Sequence, residues 1–327
     1  MKLPHRRQFL HLTAGAATLP FAPHVARAQA YPIQPVKIVV AYPAGGPHDF
    51  HARLIGPHLS ERFGRPFIVE NRAGAGGLVG TEYVVRAQPD GHTLLVLGTA
   101  NTGSALLAAE SIKFNVVRDL APVAGITTNM FVILVHPSIP VRNIAELIAF
   151  AKAKPKRLNM GSAGTGTVQH LGGELLKLMA DIDLVHVPYR GEAVALPDLM
   201  SGNIQVMLMT VFSSLEHVRS GSLRALAVTG KARSIALPDV PTVAELLPEY
   251  EATSFAGFVA PKGTPPTVVA ALNKETNLFL QSAEVRKRYS DIGGEVLICT
   301  PDEFGQEVAR NHDKWAKVIK FAGIKAE

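Results

Sequence analysis

The chain has 327 residues, 47% of them hydrophobic and only 18% charged, which supplies apolar matter for a large core, suggests two domains, and excludes a disordered chain. Four of its +6 net charges, Lys2, Arg6, Arg7 and Arg27, lie in an acid-free first thirty residues, so the remainder is near +2 and has no basic run, which excludes nucleic-acid backbone binding. A single cysteine, Cys299, excludes an intramolecular disulfide framework.

Residues 1–30 read as an export signal. Lys2, Arg6 and Arg7 form a basic start, Phe9 to Ala22 is a short apolar run, and Ala28 and Ala30 each end a small-x-small cleavage site. The run falls short of the roughly 20 apolar residues that span a bilayer and is broken by His11 and Pro20. Arg6-Arg7-Gln-Phe-Leu looks like a twin-arginine signal, with His5 where Ser or Thr is usual. The destination is outside the cytoplasm, by either the general or the twin-arginine route.

Beyond the signal, aliphatic runs predict strands at Val36 to Ala41, Phe67 to Glu70, Thr93 to Leu97, Phe131 to Val135, Leu184 to Val187, Val206 to Met209 and Leu223 to Val228. Between and after them, helical periods predict Asn143 to Ala153, Gln169 to Met179 and Pro266 to Leu280. Near the end, Phe304, Val308, Trp315, Val318 and Ile319 share one helical stripe that docks on a core. Strands without a polar face, alternating with helices, predict an α/β fold with parallel sheets covered on both sides.

In such sheets ligands sit beyond the carboxyl ends of the strands. Three strand-to-helix loops carry small residues there: Pro43 to Asp49, Thr99 to Gly103, and Gly161 to Thr167. Each offers unpaired N–H groups and a positive helix end, which suits an anion. The bland reading of any one loop is a glycine turn with an ordinary Ser or Thr cap; three together favour a site. No G-x-x-x-x-G-K-[ST] occurs, and Gly74-Ala-Gly76 continues as Gly77, Leu78 and Val79, so nucleotide fingerprints are absent and no cofactor is expected.

Catalytic and metal readings are weaker. Ser162 and His170 could be nucleophile and base, but no G-x-S-x-G elbow surrounds Ser162, and a helix cap is the ordinary role for such a serine. His48, His51 and His58 lack an H-E-x-x-H or comparable set, so they are expected to face solvent and no metal is expected. Asp49 has two readings of equal weight, a first-turn acid paired with Arg53 or a ligand-site residue.

Over nearly its whole length after the signal, the chain resembles the substrate-binding proteins of tripartite tricarboxylate transporters, the Bug family. The resemblance is carried by Tyr31 to Val40, Pro43-Ala-Gly-Gly46 with Asp49 and Arg53, and Val69 to Gly77. It continues through Gln88 to Leu95, Glu146 to Lys152, Gly161 to Gly166 with His170-Leu171, His186 to Gly191, Arg224 to Thr229, Pro238 to Glu245 and Ala260 to Pro265. It implies a two-domain periplasmic binding protein of type II, closing over a ligand like a Venus flytrap. The first domain would comprise 31–127 and 255–327, the second 128–254.

The resemblance further implies a monomeric periplasmic receptor, not an enzyme, whose partners are a small carboxylate ligand and the permease subunits of the transporter. A sensor presenting the acid to a membrane signalling partner is the alternative, with a serine hydrolase behind it. Carried over by position, the ligand site would take Tyr42, Gly45, Gly46 and Asp49 from the first domain. The second would contribute Ser162, Ala163, Gly164, Thr165, Gly166, Thr167 and His170. Thr99 and Asn101 join from the middle loop, and His48 from the first, either as a proton-dependent donor or, as is favoured, facing water. Family members often have Phe-Pro-Pro-Gly-Gly where this chain has Tyr42-Pro-Ala-Gly-Gly46, small or hydroxyl residues at Pro47-His48, Lys at Arg190, Asp at Gln205 and Trp at Phe255.

Overall fold

In the computed structural model, which describes residues 31–325, the first aliphatic run forms β1 (Val36–Val40) and leads into α1 (Pro47–Phe63). Gly46 caps α1 in extended conformation, Pro47 takes the first helical position, where a missing N–H costs nothing, and left-handed Gly64 ends the helix. Then follow β2 (Phe67–Asn71), α2 (Leu78–Val85), β3 (Thr93–Gly98) and α3 (Thr99–Leu107). β1 lies between β2 and β3, parallel to both. Its successive residues face opposite sides: Ile38 and Val40 enter one buried cluster with Ile55 and Leu59 of α1, while Val39 enters another with Val84 of α2. Helices on both faces explain the missing polar face.

The next strand, β4 (Leu120–Val135), is sixteen residues long. The sequence predicts only its last five. After it come α4 (Ile144–Ala153), β5 (Asn159–Ser162), α5 (Val168–Ala180), β6 (Val185–Pro188), α6 (Glu192–Ser201), β7 (Val206–Thr210), α7 (Val211–Arg219) and β8 (Arg224–Val228). The chain then returns as β9 (Thr253–Pro261) and closes with α8 (Pro266–Leu280), α9 (Ala283–Asp291), β10 (Gly294–Val296) and α10 (Pro301–Ala322).

The strand order is β2-β1-β3-β9-β4-β7-β5-β6, with β8 and β10 also on β4. An all-parallel sheet is expected from the sequence, but β4 and β9 are antiparallel to each other and to their neighbours β7 and β3. The reason is topological: these two strands carry the chain between lobes. β4 pairs with β9 from Leu120 to Met130, then with β7 and β8 from Phe131 onward.

Thr229 fastens the two crossings together. Its N–H donates to Phe131 O at 2.9 Å, its Oγ1 accepts from Phe131 N at 2.9 Å and donates to Ala252 O at 2.7 Å, and Ala252 N donates to its carbonyl at 3.0 Å. The residue is completely buried.

The stripe predicted for the last helix is present, but it serves two cores. Phe304 and Val308 pack with Leu95 and Leu97 of the first lobe. One face further along, Trp315 and Val318 pack with Leu171 and Leu176 of the second. The end of α10 thus packs against second-lobe residues and straps the lobes together.

Candidate ligand-binding cleft

The first loop turns through Gly45, held at φ +84°, a conformation that favours glycine. Asp49 sits one turn into α1 and points back at this loop. Its Oδ2 accepts from Arg53 Nε at 2.8 Å and Gly45 N at 2.9 Å, and its Oδ1 accepts from Asn71 Nδ2 at 2.9 Å. These donors, Arg53 foremost, outweigh burial and hold the carboxyl down to about 2. The helix-start reading of Asp49 thus describes its contacts, enlarged to a three-way tie between loop, helix and β2. It also uses the Gly45 N–H, so the open donors here are the first-turn N–H groups of His48 and Asp49.

His48 is half-buried and turns its Nε2 inward. Its ring lies 4.8 Å from that of Tyr42, and a Cβ on Gly98 would overlap its Nε2. That nitrogen is buried without a hydrogen-bond partner, and burial pulls the imidazole down to about 4. His51 is also buried; its Nδ1 meets Tyr289 Oη at 3.2 Å, and burial, then the neighbouring His48, hold it at about 3. His58 is half-buried against Phe279, ring centroids 4.9 Å apart. The expectation of solvent-facing histidines fails for His51, which α1 turns toward Tyr289 of α9, while His48 and His58 are half-buried. Among the described residues no group of three His, Cys, Asp or Glu side chains is placed to hold a metal.

In the middle loop the polar side chains turn inward. Thr99 Oγ1 accepts from Phe255 N at 3.0 Å, while Asn101 accepts from Gly98 N at 3.0 Å and donates to Thr81 Oγ1 at 3.1 Å. Both residues are 1% exposed. They build the loop, and only the start of α3, at Thr99 and Ala100, reaches the cleft.

The third loop is buttressed by two histidines. Ser162, at the end of β5 and fully buried, lies 2.7 Å from His186 Nε2 and accepts from Gly164 N at 3.2 Å. It is neither a helix cap nor paired with His170. The His186 ring instead stacks on His170, 3.6 Å between centroids and 3° from parallel. His170 Nδ1 accepts from Gly166 N at 3.2 Å, and burial, with His186 and Lys177 nearby, holds the ring at about 3. Thr167 is the cap of α5, donating to Gly164 O at 2.7 Å.

Between the lobes lies a cavity of about 480 Å³. Of the predicted residues it brings together Gly45, Gly46, His48, Thr99 and Thr167. Tyr42, Asp49, Asn101, Ser162 and His170 stand behind its walls, and Ala163, Gly164, Thr165 and Gly166 lie off them. Sequence reasoning misses the hinge-strand wall, Asn129, Phe131 and Phe255, and the second-lobe residues Gln169 and Thr210. For Phe255 a signal existed, the aromatic exchange with Trp noted above; strand alternation alone cannot distinguish a cleft wall from a core.

No Lys, Arg, Asp or Glu side chain is among the residues lining this cavity. Helices α1, α3 and α5 all begin at it, so their positive ends and open first-turn N–H groups face one cleft. Such a space receives an anion through the main chain and leaves geometry, not a counter-ion, to choose it.

The model of the tripartite tricarboxylate transporter family receptor matches residues 51–324. This chain belongs to that family. The tricarboxylate receptors are binding proteins, not enzymes, and Protein BugT of Bordetella pertussis is 35% identical over 300 residues, 91% of this chain and 92% of that protein. Among solved structures, R. palustris Rpa4515 with adipate is 33% identical with a TM-score of 0.75, covering 90% of this chain and 99% of that one. MatC from Rhodopseudomonas palustris with bound malate is 31% identical with a TM-score of 0.72, covering 88% and 100%. The receptor's two-domain periplasmic-binding-protein fold is shared with these structures. Among its described residues no helix is long and apolar enough to cross a membrane.

Proposed function

We propose that the protein is an extracytoplasmic receptor that captures a small carboxylate in the interlobe cleft and delivers it to the permease of a tripartite tricarboxylate transporter. The observation that carries this reading is the meeting of three helix starts from opposed lobes in a cavity with no charged lining. Relatives with adipate and malate bound support a carboxylate group as what the cleft receives.

Within this reading, Gly45, Gly46, His48, Thr99 and Thr167 touch the ligand. Tyr42, Asp49, Asn101, Ser162, Gly166 and His170 hold the loops that present it. We place the division of the lobes where β4 changes partners, between Met130 and Phe131, and at the Thr229 and Ala252 junction. The export signal, residues 1–30, lies outside the described residues and accounts for delivery to the periplasm.

Native mass spectrometry of gently purified protein, with any co-purified small molecule identified, tests the reading together with a thermal-shift panel of carboxylates. A bound acid, or one that raises Tm, supports it. A broad panel in which every carboxylate leaves Tm unchanged overturns it.

A further inference from the structure

We infer that the ligand carries one carboxylate on an uncharged, largely apolar body, and that acids with a second carboxylate are rejected. The inference rests on the carboxylate-receptor reading and adds the ligand class within it.

The cavity surfaces divide by chemistry. Donors come from the main chain at the starts of α1, α3 and α5. What remains of the surface is mainly apolar. Phe131 and Phe255, from the hinge strands, are 4% and 3% exposed, and Phe50 and Ile292, at 37% and 39%, reach outward to solvent. A carboxylate can use several N–H donors, but the body attached to it meets phenyl rings and aliphatic groups, where a charge would lose its water without replacement.

A second carboxylate has a specific obstacle. α7 also starts at the cavity, through Thr210. That start is already met by an acid of the protein: Glu192 accepts from Thr210 N at 3.2 Å and Thr210 Oγ1 at 3.1 Å. Its third donor is Gln169 Nε2 at 3.2 Å, and Gln169 also lines the cavity. All three donors, on Thr210 and Gln169, are neutral. The negative charge of Glu192 therefore stands one residue behind the second-lobe wall, offset by the starts of α6 and α7 and, among the described residues, by no charged side chain. Asp49, the other acid near the wall, is by contrast paired with Arg53. Glu192 occupies the Thr210 and Gln169 donors that a second carboxylate could otherwise use and repels one that approaches.

Isothermal titration with matched pairs tests this: hexanoate against adipate, and benzoate against isophthalate, each pair differing by one carboxylate. In any pair that binds, the monoacid is expected to bind at least about tenfold more tightly. Glu192→Gln, which keeps the size and much of the hydrogen bonding, should narrow that preference by about tenfold by admitting the diacid. Diacids that bind as tightly as their monoacid partners overturn the inference and leave the carboxylate reading standing. A preference untouched by Glu192→Gln overturns the role of Glu192. Failure of every acid in these pairs and in the broader panel overturns both readings together.

Discussion

The Cβ position of Gly103 lies 2.6 Å from the carbonyl oxygen of Gly166. Gly103 belongs to α3 of the first lobe and Gly166 to the glycine loop before α5 of the second, so the two lobes touch here, backbone to backbone, beside the cleft.

Gly103→Ala therefore puts a methyl where a carbonyl already stands. Alanine favours the helix by up to about 1 kcal/mol, so the fold should hold while the lobes are pushed apart. The expected result is an unchanged or slightly raised Tm with ligand affinity weakened about tenfold or more. An alanine variant that binds normally would remove this contact from the closing surface.

Thr229→Val keeps the shape of the hinge fastener but deletes its hydroxyl, leaving Phe131 N and Ala252 O without their buried partner. Each unsatisfied group costs about 1–3 kcal/mol. Urea unfolding should show a loss within the range of one or two such groups, and Thr229→Ser should recover most of it.

Asp49→Asn removes the acceptor that binds Arg53 and Gly45. Because the folded carboxyl is held at about 2 from an ordinary 3.8, its stabilisation is complete above about pH 4 and is lost as pH falls toward 2. The wild type should lose stability across that window and the asparagine variant should show less of this loss. At neutral pH the variant should bind ligand several-fold more weakly, since charge-assisted hydrogen bonds of about 1.5–3 kcal/mol hold the glycine loop.

Three histidines act in the opposite range. His48 is held at about 4, and His51 and His170 at about 3, each from an ordinary 6.5. Between those values and 6.5 the unfolded chain binds more protons than the folded one, so stability falls as the solution is acidified below about pH 6.5. Each histidine contributes a slope of up to about 1.4 kcal/mol per pH unit. Unfolding free energies from pH 7 to 4.5 should show this, and His170→Gln should reduce the slope by about one proton's share.

Much of the fold was legible because buried strands announce themselves. Val36 to Val40 and Leu94 to Leu97 are aliphatic because both faces of their sheet are covered, and the glycine loops follow them at the expected ends. β9 was not legible, since Ala256 and Gly257 dilute its run and Gly257 is small to make room for the Phe304 ring and the Ala124 carbonyl. In the site, position along a loop revealed which backbone reaches the cleft but not where side chains turn. Ser162 and His186 are 24 residues apart, and their hydrogen bond exists only because β5 and β6 lie side by side. Phe131 and Phe255 read as core residues because a cleft wall and a core demand the same chemistry until a ligand distinguishes them. Glu192 opens α6, where an acid is unremarkable in sequence; its meaning depends on α7 beginning beside it.

The strap made by α10 has a consequence for how the molecule comes into being. Phe304 completes a core begun near Val39, and Trp315 completes one begun near Phe131. These two interiors are completed only by the last helix, so neither reaches its full packing until the whole chain has been made.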